Sequence, residues 1–69
     1  MNIKVNGEEK KLNSSKNKIS LYETLMNLGY KKNTIIVELN NLIVNSDEWH
    51  KKNVGDGDKL EIVSIVGGG

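Results

Sequence analysis

Apolar and polar residues alternate at the start of the chain, where Ile3 and Val5 sit between Asn2, Lys4 and Asn6. A period of two belongs to a strand with one buried face, so Asn2 to Asn6 is predicted to be a strand. Asn6-Gly7 is a dipeptide suited to a type I′ turn, because both residues tolerate positive φ, and Lys10 to Leu12 is expected to return as the hairpin partner. Asn13 to Lys18 is polar throughout and reads as a flexible connection. The period then changes. Ser20-Leu21-Tyr22-Glu23 matches a capping box, with the serine accepting from the third helical amide, so a helix is expected to start at Ser20. Leu21, Leu25 and Leu28 recur at helical spacing and predict one apolar stripe for packing on a sheet. Gly29 falls where a left-handed C-terminal cap is wanted.

Thr34 to Leu39 is short and rich in β-branched residues, which predicts a buried strand, and Asn40-Asn41 turns it into Leu42-Ile43-Val44 as a second hairpin. Ser46 to His50 is expected to form a short helical turn holding Trp49 against the core. Asp56-Gly57-Asp58 is a turn into the last strand, Lys59 to Val66. The order ββαββ with a late long strand is an α+β plan, a mixed sheet of about five strands with one main helix on one face. It suits a β-grasp, the ubiquitin-like roll, and other small α+β sandwiches share the pattern. The expected organisation is a β-grasp domain over residues 1–66 and a flexible Gly67-Gly68-Gly69 tail.

Along the last strand, Leu60, Ile62 and Val66 share one face, and Glu61, Val63 and Ile65 share the other. A single helix covers only one sheet face. Either Val63 and Ile65, with Ile43, form an exposed patch that docks a partner, or this strand is central and buried on both faces.

Composition narrows the function classes. A chain of 69 residues makes one domain, and at that size only about 60% of the unfolded surface is buried, which leaves little room for a deep catalytic cavity. Ten lysines and nine acidic residues give a net charge of +1 with the signs interspersed. A nucleic-acid binder would more often concentrate basic residues with arginine and stacking aromatics, and here the lysine pairs at 10/11, 31/32 and 51/52 are scattered. The N-terminus lacks the apolar stretch of a signal peptide, and no run approaches membrane-spanning length. With no cysteine, the chain is compatible with a reducing compartment, and a cytoplasmic location is expected.

Candidate chemistry lies at the end of the chain. Gly67, Gly68 and Gly69 follow an apolar strand, and three glycines span at most roughly 10 Å, enough to pass a terminal carboxylate into a narrow cleft of another protein. Glycine has no Cβ to obstruct that passage. The plainer reading is an end that simply frays. Elsewhere the residues point to structure. His50 is the only histidine and has no converging ligands, so no metal site is expected. Asp56 and Asp58 read as turn residues, and Ser14, Ser15, Ser20, Ser46 and Ser64 assemble no hydrolase triad on any strong spacing. Trp49 is expected to plug the core edge, with a partner contact as its alternative.

The stretch Val54-Gly55-Asp56-Gly57-Asp58-Lys59-Leu60-Glu61-Ile62-Val63-Ser64-Ile65-Val66-Gly67-Gly68-Gly69, with Trp49 before it, resembles the ThiS family of sulfur carriers in thiamine thiazole biosynthesis. In that family a D-G-D turn feeds an apolar last strand and the chain ends in Gly-Gly. The resemblance implies a carrier with no catalytic residue and no cofactor of its own. A ThiF-like E1-type enzyme would adenylate Gly69 with ATP and Mg²⁺, a sulfur donor protein would supply sulfur, and a ThiG-like thiazole synthase would receive it from the thiocarboxylate. Gly67 and Gly68 would enter the partner's active site, and Val63, Ile65 and Ile43 would form the interface. Asn45-Ser46 departs from the Pro-Arg that many family members carry there. The alternatives are a MoaD-like carrier for molybdopterin synthesis, a ubiquitin-like modifier, and a plain β-grasp interaction module.

Overall fold

The computed structural model describes residues 1–13 and 16–65. The expected Gly67–Gly69 tail, the face assigned to Val66, and Ser14 and Ser15 of the polar connection therefore lie outside the described residues.

Strands β1 (Asn2–Val5) and β2 (Glu8–Lys11) pair antiparallel across Asn6 and Gly7, whose φ values are 52° and 84°. Positive φ at both central residues is the type I′ geometry, whose twist matches that of the flanking strands. The return strand starts at Glu8, earlier than the expected Lys10. Its residues are all exposed, so no apolar alternation marks it, and the pairing Val5↔Glu8 follows from the turn alone.

A short strand, β3 (Lys18–Ser20), precedes helix α1 (Leu21–Asn27). Ser20 caps the helix without belonging to it: the Glu23 backbone N–H donates to Ser20 Oγ at 3.0 Å. At the other end Gly29 adopts φ 90°, the Gly29 N–H donates to the Met26 carbonyl, and the Tyr30 N–H donates to that of Leu25. That pair of bonds is a Schellman closure, which occupies carbonyls the helix leaves unmet. Leu21 and Leu25 are fully buried, as is Thr24 between them, whereas Leu28 is half-buried at the end of the stripe.

Strands β4 (Ile35–Leu39) and β5 (Leu42–Val44) form the second hairpin around Asn40 and Asn41, with φ of 50° and 74°. A 3-10 turn over Ser46–Glu48 then presents Trp49, and β6 (Asn53–Gly55) and β7 (Lys59–Ser64) complete the fold. The main sheet has the order β2-β1-β7-β4-β5, with β7 parallel to β1 and antiparallel to β4.

The pattern of apolar positions did not lead to β3 and β6. They form a second, two-stranded sheet through Ile19↔Val54, so part of the expected flexible connection is strand. Three residues are too few for a period to show, and the pairing spans half the chain.

The core lies between the main sheet and α1. Ile3, Val37 and Leu60 from the sheet meet Leu21 and Leu25 from the helix, and Trp49 fills the edge at 1% exposure. The Trp49 indole N–H donates to the Val44 carbonyl at 3.0 Å, so the ring is buried without an unmet polar atom.

Candidate docking face

The sheet has α1 on one face and nothing among the described residues on the other. On β7, Leu60 and Ile62 point into the core, at 0% and 7% exposure, and Val63, with Ile65 just past the strand's end, points away from it, at 61% and 53%. Of the two alternatives for this strand, burial on both faces does not hold. The strand is central in the sheet but covered on one side only.

The register continues the open face across the neighbouring strands. Ile36 lies opposite Val63, and Ile43 lies opposite Glu38, which in turn faces Glu61. Ile36 and Ile43 are 45% and 65% exposed. These side chains make an apolar ridge at the end of the sheet where β7 runs out. Beside it is a groove of about 280 Å³, lined by Ile36, Ile43, Asn45, Trp49 and Ile65 among others. Glu38 and Glu61 adjoin the ridge, and no ion pair joins either of them to a described lysine.

Val63, Ile65 and Ile43 are therefore brought together on one exposed surface. Ile36 shares its exposure and was not anticipated as part of it, because a run of β-branched residues reads the same whether one or both of its faces is covered. The usable signal was the register: once β7 opens on one side, its neighbour β4 must open on the same side. Gly67, Gly68 and Gly69 lie outside the described residues.

The remaining candidates have structural roles. Asp56 Oδ1 accepts the Asn2 N–H, and Asp58 Oδ2 accepts the Gly55 N–H at 2.8 Å, which pins the turn before β7. His50 stacks on Tyr22 with ring centroids 4.1 Å apart. Ser20 is the helix cap. Among the described residues no three His, Cys, Asp or Glu side chains converge to hold a metal, and no helix is long and apolar enough to cross a membrane.

A mixed five-stranded sheet with a parallel central pair, antiparallel hairpins outside it and one helix packed across a single face defines a β-grasp protein of the ubiquitin-like class. The ThiS family model matches residues 3–69, and the chain belongs to the ThiS family. It is similar over its full length to the crystal structure of thiamine biosynthesis protein ThiS from Geobacter metallireducens, with TM-score 0.83, 28% identity and complete coverage of both chains. An uncharacterized protein, ycf40, of Trieres chinensis is 37% identical over 65 residues, covering 94% of this chain and 85% of that protein. A thiazole synthase of Paramagnetospirillum magneticum is 39% identical over 69 residues, which span all of this chain and 20% of that protein.

Proposed function

We propose that this chain is a sulfur carrier of thiamine biosynthesis whose Gly69 carboxylate is activated and converted to a thiocarboxylate. The observation that carries the reading is the ThiS family match running through residue 69, the position the chemistry requires. The apolar ridge stands beside the strand that leads to that position. The thiazole synthase of Paramagnetospirillum magneticum, which contains a segment like this chain within a much longer one, favours thiazole formation over the molybdopterin route as the destination of the sulfur.

The chemistry follows from the weakness of a carboxylate as an electrophile. On a ThiF-like enzyme that supplies Mg²⁺, a Gly69 carboxylate oxygen attacks the α-phosphorus of ATP and pyrophosphate leaves. The resulting acyl adenylate has a good leaving group where the carboxylate had none. A sulfur nucleophile brought by a donor protein adds to the carbonyl and AMP departs. A thiol then attacks the donor's own sulfur and forms a disulfide with it, which breaks the donor's bond to the transferred sulfur and releases the thiocarboxylate, and a ThiG-like synthase takes the sulfur from it. This chain provides the reacting carboxylate, the thin tail that lets it reach the cleft, and the surface that is recognised. It provides no catalytic group.

In this reading Ile36, Ile43, Val63 and Ile65 dock the activating enzyme, and Gly67 and Gly68 occupy its channel. Pyrophosphate release with the ThiF-like enzyme and ATP tests the assignment. It should depend on this chain, saturate with it, and vanish on deletion of Gly68 and Gly69. Release that is indifferent to the deletion would sink the proposal.

A further inference from the structure

On the β1 side, the main chain of β7 is held by a ladder that runs out early. The Lys4 N–H donates to the Asp58 carbonyl at 3.0 Å and the Asn6 N–H to the Leu60 carbonyl at 2.9 Å. In a parallel pair the next rung would engage Ile62. The backbone cannot supply it, because the chain turns away at Asn6 and Gly7. The Asn6 side chain supplies it instead: the Ile62 N–H donates to Oδ1 at 2.7 Å, and Nδ2 donates to the Ile62 carbonyl at 3.1 Å. A carboxamide carries the same donor and acceptor as a peptide group, so Asn6 extends β1 by one rung without extending its backbone. Beyond Ile62, among the described residues, the hydrogen bonding of β7 comes from the β4 side, through the Ile65 N–H to the Thr34 carbonyl at 2.9 Å.

We infer that Asn6 is a positioning residue for delivery of the C-terminal carboxylate: its amide clamp on Ile62 is the last hold on the β1 side of β7 and so sets the line along which the end of that strand, through Ile65, is presented. The inference rests on the reading of Gly69 as the reacting end. Past Ile62 the strand is held on the β4 side alone, by the pairings Val63↔Ile36 and Ser64↔Ile35 and the Ile65 N–H bond to Thr34. Removing the Asn6 clamp leaves those β4 contacts, and with them the ridge residues Val63 and Ile65, in place, but takes away the β1-side hold that keeps the end of the strand from twisting about its β4 partner. Docking would then be preserved and alignment of the carboxylate with ATP lost.

The chain carries its own control. Asn40 also has positive φ and also clamps β7, its Oδ1 accepting the Lys59 N–H at 3.0 Å, but it does so at the strand's beginning. Asn6→Gly and Asn40→Gly each keep an allowed backbone and remove one side-chain clamp, so their structural losses are comparable. Pyrophosphate release is measured for both with the ThiF-like enzyme, well below the melting temperature, with folding checked by circular dichroism.

For Asn6→Gly, kcat is expected to fall by about 10- to 100-fold, the scale of a misplaced reacting group, with KM little changed. Asn40→Gly should keep the wild-type kcat. Equal losses in both variants, no loss in either, or a loss confined to KM would overturn the inference. Absence of release with the wild-type chain would be a different failure, one that removes the proposed function together with this role.

Discussion

Trp49→Ala is expected to come close to unfolding the domain. The side chain is 1% exposed, and its indole N–H is the donor to the Val44 carbonyl. Truncating a buried tryptophan to alanine costs roughly 3–5 kcal/mol. At about 0.05–0.15 kcal/mol per residue, a domain of 69 residues has a total stability of only about 3–10 kcal/mol. Trp49→Phe separates the two contributions. It retains most of the apolar volume and removes the donor to Val44, so a loss of about 1–3 kcal/mol is expected. Urea titration followed by far-ultraviolet circular dichroism gives both values, since the variants lack the chain's only tryptophan and its fluorescence is no longer a probe. With an m-value of about 1 kcal/mol per molar, the midpoint should fall by about 1–3 M for the phenylalanine and further for the alanine. A Trp49→Ala protein that lost less than about 1 kcal/mol but no longer engaged its partner would refute the argument and make Trp49 an interface residue.

Ile65→Lys places a charge on a side chain already 53% exposed, so the fold should survive, within about 0.5 kcal/mol by denaturant titration, while KM for adenylation rises at least tenfold. An unchanged KM in the folded variant would remove the ridge from the docking surface. Gly69→Ala and Gly68→Val put bulk beside the reacting carbonyl and in the channel, and both are expected to slow pyrophosphate release; normal release would count against a tight channel. Gly29→Ala meets no atom within 4 Å of the new Cβ but must hold φ 90°, so a loss of about 1 kcal/mol is expected from backbone strain alone, read as a lower melting temperature.

Much of the fold was legible because its signals are local. The Asn6-Gly7 and Asn40-Asn41 turns, the Ser20 cap and the Gly29 closure each announce themselves in two to four residues, and each occurs as read. What escaped was non-local. β3 and β6 exist through a pairing between Ile19 and Val54, and neither strand carries a period of its own. The role of Asn6 escaped for a related reason. As a turn former it was evident, but its amide meets Ile62 across 56 positions of sequence, and no spacing rule reports that. The apolar ridge was half visible. Alternation along β7 separated Val63 and Ile65 from Leu60 and Ile62, but only the sheet order shows which set is left uncovered.

The central claim concerns sulfur at Gly69, and the absence of cysteine makes it directly measurable, because a thiol-alkylating reagent has no thiol to attack until sulfur is installed. The chain would be incubated with the ThiF-like enzyme, ATP, Mg²⁺ and a sulfide source, alkylated, and weighed intact. The account predicts a mass gain for one oxygen replaced by sulfur plus one alkyl group, mapped by fragmentation to Gly69. An unmodified carboxylate in the presence of an enzyme shown to be active would contradict it.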